Sequence, residues 1–339
     1  MRVWFNRSFS SVHTAIDLIR QADVDGRFTI IHSNPNPTSP VARLAHEFQL
    51  EPTGLASNDY IDWCVNFCRA HKVDIFVPGR EATAIAGAHA RFEAVGTRVQ
   101  SAGSEAALQL IHDKARFYAE TDLPGAPVAE FRQFEDAAGF EAAYDALRRH
   151  HAKLCVKPAH SIYGLGFAVL DEARNSAEIL MAGAEYHVSL ADFRAGLEKL
   201  GSFRSMLLME YLEGREYSVD CVGDNGRLVS AVARRKSAQS GSGQRIDQRD
   251  DILQATASLA RAYGLNGYFN VQFREAAGKP RLLEINPRMS GGIGMACVAG
   301  PNLPYIALRG FADGFDRVEV APVRNGIRVG ELSQALELA

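Results

Sequence analysis

The sequence predicts a parallel α/β domain followed by a mainly antiparallel α+β region. Two patterns in the 339 residues support this prediction. Short apolar strands alternate with amphipathic helices over roughly the first 100 residues, which is typical of a parallel sheet covered by helices. From Ser205 onward, alternating strands dominate. We therefore expect three parts, namely residues 1–105, 106–210 and 211–339.

The first part is expected to contain strands at 3–5, 28–32 and 73–77, and helices at 12–20, 41–48, 60–71 and 82–92. No Gly-x-Gly-x-x-Gly run follows the first strand, where the turn is Asn6-Arg7-Ser8-Phe9-Ser10. Because that fingerprint is needed for the tight approach to a dinucleotide, a nicotinamide site is not expected here.

The second and third parts follow a different order of elements. Helices are expected at 105–111, 114–120, 137–150 and 250–263. Strands are expected at 128–134, 153–157, 167–170, 206–211, 217–222, 228–235, 267–274 and 281–286. The polar stretch that ends at Lys199 is interpreted as helix and loop.

Composition excludes several classes of protein. Lys and Arg total 37 against 40 for Asp and Glu, a net charge of -3, so the basic excess of a nucleic-acid binder is missing. No apolar run has the length of a membrane span, and the first residues do not resemble a signal peptide, so a cytoplasmic protein is expected. A homodimer is expected because it is the commonest oligomer. The cysteines form no CxxC pair and are interpreted as small buried side chains: Cys64, Cys68, Cys155, Cys221 and Cys297.

Polar residues share one face of the hairpin expected from 267–274 and 281–286. With a register symmetric about Gly278, Gln272 lies opposite Glu284, and Asn270 lies opposite Asn286. Oxygen ligands at this spacing can share a hard cation such as Mg²⁺. The other face is apolar, with Phe269, Val271, Phe273, Leu283 and Ile285. Taken alone, the pattern fits the solvated face of a surface hairpin equally well.

Three further segments have features of a ligand site. Lys157 ends a buried strand before a loop that contains Gly164 and Gly166, and glycines let backbone N–H groups approach phosphate oxygens. Taken alone, this segment fits an ordinary strand–turn–strand better. A second strand turns at Glu213-Gly214, where its backbone could bind a planar base, although a hairpin with exposed glutamates fits as well. Arg235 precedes a Gly/Ser-rich loop and is predicted to face a substrate, with surface charge as the equal alternative.

In this order, these segments resemble the ATP-grasp superfamily, which includes carboxylate–amine ligases, biotin carboxylase and the large subunit of carbamoyl-phosphate synthetase. The resemblance covers roughly residues 107–311 and is closest at Glu284-Ile-Asn-Pro-Arg288-Met-Ser-Gly-Gly292, which is similar to the synthetase type. It implies an α/β N-terminal domain, then an ATP-grasp fold with a small lid domain and a mainly antiparallel C-terminal domain.

The resemblance also implies which residues bind ATP and Mg²⁺. The phosphate contacts implied are Lys114, Lys157, Ser161, Gly164 and Gly166. The adenosine contacts implied are Glu210, Tyr211, Leu212 and Glu216. The Mg²⁺ ligands implied are Gln272, Glu284 and Asn286. Arg288 is implied to stabilise the transferring phosphoryl group, and Arg235 is the candidate for the substrate side.

The implied activity is that of an ATP-dependent ligase. A small-molecule carboxylate is activated as an acyl phosphate, an amine attacks it, and ADP and phosphate are released. One alternative is a bicarbonate-using carboxylase or an enzyme of the carbamoyl-phosphate type. A second is an ATP-binding regulatory protein without turnover. A nicotinamide oxidoreductase, the third, is disfavoured by the missing glycine fingerprint.

Overall fold

The structure is a computed structural model that describes residues 1–7, 11–160, 166–237 and 243–332. Its strands are β1 (Arg2–Phe5), β2 (Thr29–Asn34), β3 (Glu47–Leu50), β4 (Ile75–Val77), β5 (Arg98–Val99), β6 (Phe131–Asp136), β7 (Leu154–Pro158), β8 (Ala168–Asp171), β9 (His187–Ser189), β10 (Ser202–Glu210), β11 (Glu216–Asp224), β12 (Arg227–Lys236), β13 (Gln244–Ile246), β14 (Gly267–Ala276), β15 (Lys279–Asn286) and β16 (Arg328–Val329).

Its helices are α1 (Val12–Ala22), α2 (Ser57–His71), α3 (Ala82–Gly87), α4 (His89–Glu93), α5 (Glu105–His112), α6 (Lys114–Glu120), α7 (Ala137–Arg148), α8 (Ser176–Met181), α9 (Leu190–Leu200), α10 (Asp250–Ala262), α11 (Ile293–Val298) and α12 (Leu303–Asp313). Single turns of 3-10 helix occur at Pro40–Arg43 and Phe315–Arg317. Over the described ranges, no helix combines the length and the apolar character that a bilayer span requires.

The chain divides into two compact units. Unit 1 contains Met1–Ile111, Arg215–Phe273 and the segment from Glu284 onward. Unit 2 contains His112–Gly214 and Arg274–Leu283. The chain therefore passes from one unit to the other four times. The expected domain borders near residues 105 and 210 stay predictions.

Unit 1 begins with the parallel sheet expected from the alternation of strands and helices. The strand order is β3-β2-β1-β4-β5, and β1 pairs in parallel with both β2 and β4. On one face, α1 buries the predicted apolar stripe of Val12, Ala15, Ile16 and Ile19. On the other face, the Trp4 ring lies 4.2 Å from Phe67 and 4.1 Å from Phe76, measured between ring centroids. The predicted parallel α/β region is confirmed.

The helix expected at 41–48 is wrong. A 3-10 turn occupies its first residues, and β3 pairs in parallel with β2, with Ile31 opposite Glu47. The spacing of Val41, Leu44 and Phe48 imitates a helical stripe. The strand forms instead because its main chain pairs with β2, and Glu47 then makes a two-bond ion pair with Arg2 of β1, at 2.8 and 2.7 Å. This long-range contact has no signature in the local sequence.

The cysteines have the expected structural role. All five are free thiols, and four of them are buried, while Cys297 is partly exposed. Cys64 and Cys68 belong to the core cluster that also contains Trp4 and Phe76. Burial raises the pKa of Cys68 to about 12, so this thiol stays protonated at neutral pH.

His32 is a buried titratable group at the end of β2. Its Nδ1 donates to the Phe5 carbonyl at 3.0 Å, and its buried Nε2 has no hydrogen-bond partner among the residues that the structure describes. Because burial disfavours the charged ring, the pKa of His32 falls from its ordinary 6.5 to about 4. The stability contributed by this neutral ring is therefore complete above pH 6.5 and is lost as the pH falls towards 4.

When the pH falls from 7 to 5, we expect protonation linked to His32 to lower the free energy of unfolding by about 2 kcal/mol. The measurement is urea unfolding of the unaltered chain and of His32→Phe at both pH values. The variant should lack this part of the pH dependence, whatever its stability at pH 7. An identical pH dependence in the two proteins would contradict the assignment.

The third part of the chain adds to unit 1 the strands β11, β12, β13 and β16, which belong to a second sheet of order β15-β14-β11-β12-β13-β16. The β11–β12, β12–β13 and β13–β16 pairs are all antiparallel, which confirms the predicted antiparallel character, although β13 and β16 themselves were not expected. One hydrophobic cluster contains Val3 and Phe5 of the first sheet, Val232 of β12 and Ile293 of α11. The two sheets of unit 1 therefore share a core.

Unit 2 is built around a sheet in the order β6-β10-β7-β8-β9. Strand β10 is antiparallel to its neighbours β6 and β7, whereas β8 and β9 are parallel to each other. Helix α7 packs on this sheet through Phe140, which lies in the same core cluster as Phe134 and Leu208. The short strand β9 was not expected, because the stretch that contains it is polar.

Candidate functional site

Lys157 occupies a fixed position on the central sheet of unit 2. It lies on β7 opposite Leu207 of β10. Its Nζ donates to the hydroxyl of Tyr118 at 2.6 Å and lies 4.7 Å from the centroid of that ring. The Tyr118 hydroxyl in turn donates to the Leu283 carbonyl. A lysine held in this way presents its charge at a defined point.

Sequence reasoning did not identify Tyr118. The residue is buried on α6, which begins at Lys114. Residues four apart lie on the same face of a helix, so Lys114 and Tyr118 are neighbours there. This spacing, next to a lysine already suspected of binding phosphate, is the signal that could have revealed Tyr118.

The other predicted phosphate contacts are placed as follows. Lys114 is mostly buried at the start of α6, where Asp113 caps the helix by accepting from the Arg116 N–H at 3.2 Å. Gly166 has a φ of +81°, and a β-carbon there would lie 2.8 Å from the Pro158 ring. Only glycine fits this position without strain. Ser161 and Gly164 lie outside the described residues.

The predicted adenine-binding segment follows β10. The Glu210 N–H donates to the Glu130 carbonyl at 2.9 Å, and the Tyr211 N–H donates to the Lys153 carbonyl at 3.0 Å. Within the described parts of the chain, the Leu212 N–H makes no hydrogen bond, although the Leu212 side chain is buried. The two residues before Leu212 are therefore held by main-chain hydrogen bonds, beside a main-chain donor that a planar base could use.

Two side-chain contacts support this segment. The Arg274 guanidinium lies 5.2 Å from the Tyr211 ring centroid and donates to the Gly214 carbonyl at 3.1 Å. His151 Nε2 lies 2.8 Å from a Glu130 carboxylate oxygen, and this hydrogen bond lowers the pKa of Glu130. The ionised form of Glu130 is thus favoured beside the strand end at Glu210.

The hairpin with the predicted Mg²⁺ ligands departs from the expected register. Its turn consists of Ala277 and Gly278, with φ of +49° and +77°, so it is centred between these two residues. Both positive angles are those of a tight two-residue hairpin. On β15 the buried residues are Leu282 and Ile285, whereas Leu283 is only partly buried. The face predicted to be apolar is therefore buried at Ile285 but only partly buried at Leu283.

Three of the predicted metal and phosphoryl residues of unit 1, namely Glu284, Asn286 and Arg288, form a hydrogen-bonded series. Asn286 Nδ2 donates to Glu284 Oε1 at 3.0 Å, and an Arg288 Nη2 donates to Asn286 Oδ1 at 3.2 Å. Gln272 directs its amide nitrogen to Asn270 Oδ1 at 3.4 Å. The set offers one carboxylate and two amide oxygens, which suits Mg²⁺ rather than a thiolate- or imidazole-binding metal. No group of three His, Cys, Asp or Glu residues suited to a metal occurs among the described residues.

The last two predicted residues are both ion-paired. Glu216, at the start of β11, pairs with Lys236 at the end of β12. Arg235 lies 3.3 Å from Asp247, measured between Nη1 and Oδ2, and the same carboxylate accepts from the Tyr217 hydroxyl at 3.2 Å. Both pairs are partly exposed, so a ligand can compete with them.

One family model matches the second half of the chain. Residues 202–335 match the family described as ATP-grasp in the biosynthetic pathway with Ter operon. Carnosine synthase 1 of Gallus gallus is 38% identical over 124 residues, which is 32% of this chain and 13% of that protein. The carbamoyl phosphate synthase large chain of Clostridium beijerinckii is 33% identical over 146 residues, or 39% of this chain and 12% of that protein. The matched segments thus span about an eighth of these relatives.

Comparison with solved structures covers nearly the whole chain. N5-carboxyaminoimidazole synthetase from Staphylococcus aureus, complexed with ADP, gives a TM-score of 0.65 at 12% identity and covers 95% of this chain and 80% of its own. The L-amino acid ligase from Bacillus licheniformis gives a TM-score of 0.61 at 12% identity, with coverage of 91% and 73%. At these identities the likeness shows the fold, which is that of the ATP-grasp proteins.

Proposed function

We propose that this chain, which belongs to the ATP-grasp superfamily, joins a small carboxylic acid to an amine and converts ATP to ADP and phosphate. The relatives include a carnosine synthase, and an L-amino acid ligase has the same fold. Both names describe ligation, and the second names L-amino acids. We therefore propose small amino acids and related carboxylates as the substrate class.

One observation supports the proposal most directly: the hydrogen-bonded series Glu284, Asn286 and Arg288 at the end of β15. It combines anionic and amide oxygens with a guanidinium within five residues. Phosphoryl transfer depends on metal and cationic charge directed at the phosphoryl oxygens. Bound Mg²⁺ would neutralise part of the phosphate charge, with Gln272, Glu284 and Asn286 as its ligands.

The remaining roles follow from the chemistry of each group. We assign phosphate contacts to Lys114, Lys157 and the loop that includes Ser161, Gly164 and Gly166. The Leu212 N–H, beside Glu210 and Tyr211, would donate to the adenine ring. The Glu216 carboxylate would accept hydrogen bonds from ribose hydroxyls, which requires it to leave Lys236.

The proposed reaction has two steps. A carboxylate oxygen of the acid attacks the γ-phosphorus of ATP, and the bond to the β–γ bridging oxygen breaks, so ADP leaves. Arg288 stabilises the negative charge on the transferred group. The amine nitrogen then attacks the acyl carbon, phosphate leaves with its oxygen, and the nitrogen loses a proton to solvent. Arg235 is proposed to hold the acid, because its guanidinium can bind a carboxylate through two hydrogen bonds.

The test is ADP release by the full chain with Mg²⁺, ATP and pooled amino acids or small carboxylic acids, with bicarbonate in a separate reaction. Stimulated release with one pool, together with loss of a free amine, would support ligation. Stimulation by bicarbonate alone would instead favour a carboxylating or carbamoyl-phosphate-forming enzyme. Tight ATP binding without any stimulation would favour a regulatory nucleotide-binding protein.

A further inference from the structure

Arg234 is a fully buried arginine on β12, one residue before Arg235. Its side chain is 2% exposed, and its Nε donates to Asp220 Oδ2 at 2.7 Å, where Asp220 is 1% exposed. Successive strand residues point to opposite faces, so Arg234 and Arg235 face different surroundings. The function proposed above gives Arg234 no role.

The other donors of this guanidinium connect three further parts of unit 1. Nη1 donates to the Gln244 side chain of β13. Nη2 donates to Ser218 Oγ of β11 at 3.2 Å and to Ser290 Oγ at 3.0 Å. Ser290 lies two residues after Arg288, and its hydroxyl also accepts the Gly292 N–H at 3.2 Å. A planar fork of donors satisfies all these acceptors at once, which a lysine cannot do.

The Asp220 carboxylate, which pairs with Arg234, extends this hydrogen-bond network towards a proposed Mg²⁺ ligand. Asp220 Oδ1 accepts from Asn270 Nδ2 at 3.2 Å, and the same Nδ2 lies 2.9 Å from Ser218 Oγ. Asn270 is completely buried, and its Oδ1 accepts from Gln272. Arg234 is therefore linked through Asp220 and Asn270 to a proposed Mg²⁺ ligand.

Gly292 provides the space for the guanidinium. A β-carbon at this position would lie 2.5 Å from Nη1 of Arg234, closer than real contacts allow. The turn after Arg288 and the guanidinium are thus packed directly against each other. Any larger residue at 292 must displace one of them.

A buried ion pair of this kind is a weak source of stability, because desolvation of both charges offsets most of their attraction. It does fix geometry, since each hydrogen bond has a strict direction. We infer that Arg234 is a positioning residue, which fixes Gln272 and the turn at residues 290–292 and so sets the Mg²⁺ affinity of the proposed site. This inference rests on the proposed function.

The test uses ADP as the probe, with binding measured calorimetrically over a series of Mg²⁺ concentrations. The variants are Arg234→Lys, Ser290→Ala and the double variant, each with its thermal midpoint recorded. Residues that orient metal ligands typically change metal affinity by about 10- to 100-fold. We expect Arg234→Lys to raise the half-saturating Mg²⁺ concentration by about tenfold, with ADP affinity at saturating Mg²⁺ retained.

Ser290→Ala removes a single acceptor and is the milder variant, so it keeps the test valid if Arg234→Lys does not fold. It should raise the half-saturating Mg²⁺ concentration less than Arg234→Lys does. In the double variant, the rise should be smaller than the product of the two single fold-changes. Unchanged Mg²⁺ dependence in both single variants, with only the thermal midpoint lowered, would overturn the positioning role alone. ADP binding that is independent of Mg²⁺ in the unaltered chain would overturn the proposed metal site together with this role.

Discussion

Replacing Glu284 with glutamine is expected to lower Mg²⁺-dependent ADP release by about 10²- to 10³-fold, or about 3–4 kcal/mol of transition-state stabilisation. The substitution keeps the size of the side chain and its acceptor for Asn286 Nδ2, but it removes the carboxylate charge of the proposed metal site. Release is measured with the acid that stimulates the unaltered chain most. The thermal midpoint should change little, because Glu284 is only partly buried.

The matched control is Glu319→Gln, which removes an exposed carboxylate from the same unit. It should leave ADP release unchanged within about twofold, since an isolated surface charge contributes little. Full activity of Glu284→Gln at ordinary Mg²⁺ concentrations would exclude this carboxylate as a metal ligand. The proposed role of the series that it forms with Asn286 and Arg288 would then fail as well.

Replacing Lys157 with methionine is expected to weaken ATP binding by about 10- to 100-fold, because a hydrogen bond to a charged group contributes about 1.5–3 kcal/mol. Methionine preserves most of the apolar stem that packs near the Tyr118 ring. The loss therefore reports the ammonium group itself. Binding is measured by calorimetric titration with ATP and Mg²⁺.

Lys199→Met serves as the control, since Lys199 is exposed on α9 of the same unit. It should bind ATP like the unaltered chain. If Lys157→Met also bound ATP normally, Lys157 would be a structural partner of Tyr118 and not a phosphate ligand. A Tyr118→Phe variant separates these cases further, because it removes the hydroxyl that positions Lys157 but keeps its charge.

The sequence predicted most elements of the fold, because their periodicity is local. Helix α6 is predicted with its observed ends, and the strands predicted in the second half are correct to within a few residues, although β13 and β16 were not predicted. The failures have non-local causes. The segment at 41–48 has helical spacing, yet pairing with β2 makes its end an edge strand, where Glu47 forms an ion pair with Arg2.

In the candidate site too, the sequence reveals local features but not contacts between distant segments. Lys157, Glu284 and Arg288 follow from strand ends and a short motif, both visible in one dimension. The network around Arg234 joins residues from β11, β12, β13 and the turn after Arg288, so no single segment reveals it. Alternation alone predicts that Arg234 and Arg235 face apart, but it does not show which one meets a buried carboxylate.

The interleaving of the two units has a consequence for synthesis of the chain. The larger segment of unit 2, His112–Gly214, is continuous and contains strands β6 to β10, so its sheet can form as soon as this segment leaves the ribosome. Unit 1 needs residues as distant as Val3 and Val329 for one hydrophobic cluster. Contacts of such long sequence separation form slowly. We therefore expect unit 2 to fold first. Unit 1 completes its folding only after its last strand has been synthesised.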